Sequence, residues 1–391
     1  MVHTPLQVLV GSLAPGVLPV AVDAEPPEGT ILVDLGPEHP SNAGLLELRL
    51  WTEDAVVRQA EVVVGAMHRG AEKLFEVRDY RQIGMLADRH DWQAPFSGEL
   101  LIALAAEQLL GLEIPARATW LRTLLAEHTR ILSHLGFLGF VGHLLHRPTA
   151  TAVLRERLRE QTLALTGNRI HPMACRIGGL AVDASAEWLA AEMRLMIEIS
   201  DLSDELQQLI RSPDFAEHGR GVARLSTELI AAYGVSGPAA RASGVDLDLR
   251  RLTPYLSYPA LVEKISAPAR RDGAGDAWSR FALWAGELGQ SASLVTACAE
   301  RLHELAGPVA TRLGKIVKLP EGEVYVAVDA PLGMAGCFLV SRGGKTPWRL
   351  KLRTPSFANV AALESLLVGV RTDQLEVALA SVGYVVGDVD R

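Results

Sequence analysis

LGPEHPSNAGLLELRLW (35–51) and VVVGAMHRGAEKLFEVRDYRQIGMLADRHDW (62–92) decide how this chain reads. Gly36-Pro37 and His39-Pro40 punctuate the first stretch as a turn. Leu46, Leu48 and Leu50 then alternate with Glu47, Arg49 and Trp51, the period of a half-buried strand. A turn at Glu53-Asp54 leads to a second apolar run at 62–64, and Gly65 ends it. His68-Arg69-Gly70-Ala71-Glu72-Lys73-Leu74 opens a helix, on which His68, Glu72 and Glu76 share a face at i,i+4. Asp88-Arg89-His90-Asp91 sets four polar groups between Ala87 and Trp92.

Outward from that stretch, 1–34 reads as a lead-in ending in a strand at 30–35. From Met67 the pattern is helical, with helices expected at 67–80, 97–111, 117–145, 150–166, 185–212, 222–233 and 276–306. Gly/Pro-rich loops separate them at 111–115, 167–179 and 234–259. The last lobe turns strand-like at 315–319, 324–328, 336–341 and 348–353, then helical at 359–370 and 373–381. The fold class is therefore α+β: an N-terminal sheet lobe (1–66), a central helical bundle (67–310) and a C-terminal α+β lobe (311–391).

The chain has 391 residues and a formal charge of -8, which leaves no electrostatic footprint for nucleic acid. With 49% hydrophobic residues and a mean hydropathy of +0.17, either much of the surface is covered by partners or the apolar core of a large domain accounts for the excess. The three cysteines, Cys175, Cys298 and Cys337, form no CxxC pair, so neither a disulfide framework nor a metal site of this chain's own is expected. The N-terminus has no basic leader and does not read as a signal peptide. The apolar stretch 131–146, free of Lys, Arg, Asp and Glu, falls short of the roughly 18 residues of a membrane span and holds His134, His143 and His146. P-loop, GxGxxG, HExxH and GxSxG templates are absent, which disfavours ordinary kinases, Rossmann dehydrogenases and hydrolases. Glu127, Arg130 and His134 share one face of the helix after Pro115 and read as an ion pair inside the bundle.

GPEHP (36–40), HRGAEKL (68–74), ADRHDW (87–92), EHTRILSH (127–134), GNRIHPMACRIGG (167–179), GVSGPAARASGVDLDLRRLTPY (234–255), GDAWSRF (275–281), DAPLGMAGCFLVS (329–341) and GDVDR (387–391) occur in one order. In this the chain resembles the 49-kDa subunit of respiratory complex I, the NADH-quinone oxidoreductase, a family similar to the large subunits of nickel–iron hydrogenases. The resemblance covers about 30–391. It implies a protein that forms one wall of a quinone cavity and docks a partner carrying the terminal iron–sulfur cluster. Electrons would pass from NADH to quinone, coupled to proton translocation. FMN and iron–sulfur clusters would sit in partner subunits, and quinone at this chain's surface. The protein would lie on the cytoplasmic side of the membrane, held there by partners.

The resemblance places Arg69, Arg89 and His171 beside the partner's cluster. Two guanidinium groups there would raise its potential, and an imidazole would couple it to pH. His39, Ala43, Trp92, His143 and Leu144 fall at the quinone cavity. The family's second histidine in GPxHPxxHG is Ala43 here, its DRxDY tyrosine is Trp92, and Leu144 stands where an acidic residue is expected, with His143 beside it. Leu332 and Met334 replace charged residues of EAPKGE. Alanine supplies no proton, and an indole N–H donates a hydrogen bond without transferring its proton. Two alternatives follow: a scaffold without quinone chemistry, or a component of a related membrane-bound oxidoreductase with another acceptor. The CxxC pairs of the hydrogenases are missing, so no metal is assigned to this chain.

Overall fold

The computed structural model describes residues 5–11, 30–43, 46–266 and 274–391. Most of the expected leaderless lead-in lies outside them. The N-terminal sheet has four strands in the order β2-β1-β3-β4: β1 (Leu6–Val10), β2 (Thr30–Val33), β3 (Leu46–Glu53) and β4 (Val56–Val63). β1 runs parallel to β2 and antiparallel to β3, and β3 pairs antiparallel with β4. Leu46, Leu48 and Leu50 are buried, as their alternation requires. Asp54 and Ala55 turn the hairpin at φ 52° and 59°. The sequence reading missed β1, whose three inner residues Val8, Leu9 and Val10 form a fully buried run rather than an alternating one.

The expected helix over 67–80 is two: α1 (Ala71–Phe75) and α2 (Tyr80–Ala87). Asp79 makes the break, because its carboxylate accepts the Arg81 and Gln82 N–H groups and starts a new helix. His68 precedes α1, so the expected His68–Glu72–Glu76 face does not form. Glu72 instead accepts the Leu352 N–H at 3.0 Å and Glu76 binds Arg349 at 2.7 Å.

The bundle is built from α3 (Pro95–Leu110), α4 (Ala116–Leu144), α5 (Thr151–Thr166), α6 (Ala186–Arg211) and α11 (Ala277–Glu304). A small hairpin, β5 (Cys175–Arg176) with β6 (Gly179–Leu180), links α5 to α6. Between α6 and α11 lie α7 (Pro213–Gly219), α8 (Thr227–Tyr233), α9 (Gly237–Arg241) and α10 (Leu249–Leu252), so the expected loop over 234–259 is partly helical. Ser185 and Asp276 cap α6 and α11 through the Trp188 and Ser279 N–H groups. α11 packs against α4 and α6, and α5 against α4.

The C-terminal lobe is a three-stranded antiparallel sheet, β7 (Glu321–Ala330), β8 (Gly333–Arg342) and β9 (Arg349–Arg353). The expected strand at 315–319 is not one, and the strand expected at 324–328 is longer, β7 beginning at Glu321. Four short helices follow: α12 (Pro355–Ala361), α13 (Leu363–Leu366), α14 (Leu375–Ala380) and α15 (Val386–Asp390). One apolar core runs from Val8 through the bundle to Val389, and a second joins Phe75 and Ile83 to β7–β9. The α+β class is as expected.

Candidate functional site

The chain before α1 is held by the C-terminal segment. The Asp390 carboxylate accepts the Gly65 and Met67 N–H groups, both at 2.8 Å, and His68 Nδ1 donates to the Asp390 carbonyl at 2.6 Å. Arg69 is thereby presented to solvent, with Nη2 donating to the Arg89 carbonyl at 3.4 Å. α2 ends where α3 begins to pack on it. A Cβ on Gly98 would lie 2.1 Å from the Ala87 carbonyl oxygen, so only glycine permits this approach.

Asp88 faces inward from that junction and is 0% exposed. Arg89 Nε lies 3.0 Å from Asp88 Oδ1, and Arg89 Nη2 3.5 Å from Met173 Sδ. His171 Nδ1 donates to the Asp88 carbonyl at 3.1 Å and stands 3.7 Å from Oδ2. An Asn168 side chain accepting the Ile170 and His171 N–H groups sets the loop that carries this imidazole. Arg69, Arg89 and His171 thus come from three segments to one place, around a buried acid.

Burial, offset in part by Arg89, pushes Asp88 up to about 6. Burial and the Arg89 charge pull His171 below its ordinary value. Glu99, on the first turns of α3, is pushed up to about 8, chiefly by burial and further by Asp88, although its Oε2 accepts the Cys175 N–H at 2.8 Å. Asp91 Oδ1 accepts the Gln93 and Ala94 N–H groups in the turn before α3. Burial, then Asp388, raises it to about 7. His90 Nδ1 lies 2.9 Å from Asp388 Oδ1. Trp92 is half-buried, its ring over the backbone of Gly387, where a Cβ would meet it at 2.2 Å.

The remaining expected residues lie away from this junction. His39 is buried in the core, edge-on to Phe137 with ring centroids 5.2 Å apart. Its Nδ1 accepts the Ser41 N–H at 3.2 Å, and burial holds it down to about 3, so the ring is neutral. Ala43 ends the 3-10 helix Pro40–Ala43. His143 lies in the last turn of α4, with Nε2 3.5 Å from Glu376. It lines an open pocket of about 380 Å³ with Gly36, Glu38, Gly139, His146 and Arg147. Leu144 packs against the core. Neither His39 nor Trp92 lines that pocket.

Arg155 bridges the two sides, and sequence reasoning missed it. Its Nη1 donates to the Glu38 carbonyl at 3.1 Å and its Nη2 to Gln93 Oε1. Nothing in LRERLRE separates this arginine from Arg157 and Arg159, which belong to the helix surface. Deeper in the bundle, Glu127 meets Arg130, Arg250, Tyr258 and Ser291. Against the upward pull of burial, Arg130 and Arg250 hold Glu127 down to about 2. His134 lies 3.0 Å from Glu287 Oε2, and Arg241 joins Glu287 to Asp329. These charges are buried and mutually paired, which makes them a brace between α4, α9, α11 and β7.

Among the described residues, no group of His, Cys, Asp and Glu is placed to hold a metal ion, and the three cysteines are buried and free. No helix among them is long and apolar enough to cross a membrane.

The family profile of the respiratory-chain NADH dehydrogenase 49 Kd subunit matches residues 147–317 and 312–391. The chain is 47% identical over 367 residues to the NADH-quinone oxidoreductase D 2 subunit of Salinispora tropica, covering 92% of this chain and 93% of that one. It is 45% identical over 368 residues to the D 1 subunit of the same enzyme from Streptomyces coelicolor, covering 92% and 95%. It is 36% identical over 366 residues to the corresponding subunit of Carboxydothermus hydrogenoformans, covering 92% and 98%. Among solved structures it is similar to a chain of the membrane-bound sulfane sulfur reductase, an archaeal respiratory membrane complex, with a TM-score of 0.83 and 29% identity over 91% of this chain and 97% of that one.

Proposed function

The chain belongs to the family of the respiratory-chain NADH dehydrogenase 49-kDa subunit, and from that premise we propose that it acts as the 49-kDa-type component of a multisubunit NADH–quinone oxidoreductase. In this reading the Arg69–Arg89–His171 face docks the partner that carries the terminal iron–sulfur cluster. FMN and the clusters belong to other subunits, quinone is the acceptor, and this chain sits peripherally on the cytoplasmic side of a membrane, held there by its partners.

The observation that carries the reading is the convergence of Arg69, Arg89 and His171 around the buried Asp88. Two guanidinium groups at a surface favour an added electron on a docked centre. The proposed acceptor wall runs from the loop at Gly36–Pro37 and His143 past Arg155 to Trp92. Ala43 and Trp92 give that wall no transferable proton, and the buried neutral His39 does not supply one at neutral pH.

That lack, with the likeness to a sulfane sulfur reductase chain, favours one second reading: a related membrane complex that reduces another acceptor. Quinone reduction by the purified complex decides between them. Turnover with NADH and a short-chain quinone supports the first reading. A cluster that NADH reduces and quinone does not reoxidise supports the second.

A further inference from the structure

Charge is unevenly spread along the C-terminal lobe. The stretches 305–320 and 330–363 carry eight cations and no acid, in a chain whose formal charge is -8. Four of the chain's six lysines are among them. The fold lays the two stretches side by side. The Leu319 N–H donates to the Gly344 carbonyl at 3.3 Å, and Ser341 Oγ donates to the Leu319 carbonyl at 3.2 Å. Arg81, from α2, joins their edge by donating to the Gly314 and Lys315 carbonyls at 2.7 and 2.9 Å.

The eight cations sort into two groups. Arg349 and Lys351 are spent on Glu76 and Glu72, and Arg353 on the Met334 and Gly234 carbonyls. Arg312, Lys315, Lys318, Arg342 and Lys345 are exposed, and among the described residues none of these five forms an ion pair. The acids closest along the sheet are Glu321 and Glu323, opposite Arg342 and Val340 in the β7–β8 ladder. Arg342 turns to Trp348 instead, its guanidinium 3.2 Å from the ring centroid. Trp348 is 57% exposed and Ile316 66%. Five cations without a counter-charge repel one another, and the field they set up attracts an anionic surface.

We propose that this face seats an acidic segment of another subunit, whose carboxylates pair with Lys315, Lys318 and Lys345 while an apolar side chain covers Trp348 and Ile316. The inference goes beyond the docking reading above and rests only on the chain being one subunit of several. Charge complementarity fixes the sign of the partner. Its class follows from the apolar groups. Trp348 is sheathed by a guanidinium and Ile316 is a single side chain beside a lysine, so the face offers no contiguous apolar stripe to enter a lipid layer.

The test is zero-length carbodiimide coupling of amines to carboxylates in the intact purified complex, read by peptide mass spectrometry. Lys315, Lys318 or Lys345 is expected to be linked to an Asp or Glu of another subunit. The combined variant Lys315→Gln, Lys318→Gln, Lys345→Gln loses these links and holds the linked subunit about tenfold more weakly, the scale of a few exposed ion pairs. Absence of links to another subunit, or links confined to Glu321 and Glu323 of this chain, overturns the proposal. Amines that are acetylated freely in the lipid-stripped complex and shielded by phosphatidylglycerol vesicles would make the face a membrane contact, which overturns it too. No lysine is among the groups at the Arg89–His171 face, so a negative result here leaves the docking reading standing.

Discussion

The two sides of the site built around the stretch from Leu35 to Trp92 keep different chemistry. On one, Arg69, Arg89 and His171 reach the surface around an acid that is sealed behind them. On the other, His39 is sealed in apolar packing and neutral, Ala43 carries no functional group, and Trp92 lies on the backbone of Gly387. Charge at a surface can act on a docked partner, whereas a buried neutral ring can only pack. On the proposed reading, the contrast explains how one chain can keep a redox docking face while its acceptor wall is short of proton donors.

Restoring the acceptor side is the most severe challenge to this contrast. Ala43→His combined with Trp92→Tyr should raise quinone reduction by the complex about a hundredfold, the scale of a positioned general acid. Steady-state turnover checks it, and no gain would mean that the acceptor wall is not limited by those two positions. Next in size is the bridge between the sides. Arg155→Met removes the donors to the Glu38 carbonyl and Gln93. It should cost about 3 kcal/mol, two hydrogen bonds to a charged group, read as a lowered Tm.

Arg89→Gln probes the docking side. It should weaken association with the iron–sulfur partner about tenfold while leaving the fold intact, since a partly exposed charge acts mainly on association. Co-purification against rising salt measures this.

The smallest effect is a difference in pH response. Asp88 and Glu99 titrate above the ordinary carboxylate range because they are buried. A raised acid contributes stability that is complete below its unfolded value and is lost as pH rises through the folded one. Amide hydrogen exchange at 96–99 should therefore quicken between pH 6 and 8 beyond its intrinsic rise, and Glu99→Gln should remove the excess. Glu127 behaves oppositely. It is held down to about 2 by Arg130 and Arg250, so its contribution is present above the ordinary range and is lost only as pH falls towards 2.

Much of the fold can be read in the residues. The alternation of Leu46, Leu48 and Leu50 marks the strand, and the long periodic segments mark the bundle, because burial of one face imposes those periods. The motifs HRG, DRHD and RIH pick out Arg69, Arg89 and His171, of which Arg89 and His171 meet at Asp88 and Arg69 reaches the Arg89 carbonyl. Local periodicity is silent on long-range contacts. Asp79 does not announce itself as a cap, so one helix is expected where two form. β1 carries no alternation because all of its inner end is buried. Arg155 and Glu99 look like any charged residue on a helix, and only tertiary packing turns them inward. Gly98 is the one local sign that α3 touches the end of α2.

Everything proposed for the docking side requires the partner's cluster to lie against the Arg89–His171 face. Relaxation of a nitroxide label by the reduced cluster tests this position directly. One label goes on exposed Ile170 (Ile170→Cys) and another beside the acceptor pocket (His146→Cys), each in the intact complex. Docking at the Arg89–His171 face gives markedly faster relaxation at 170 than at 146 when the cluster is reduced. Equal rates, or a faster label at 146, would contradict it.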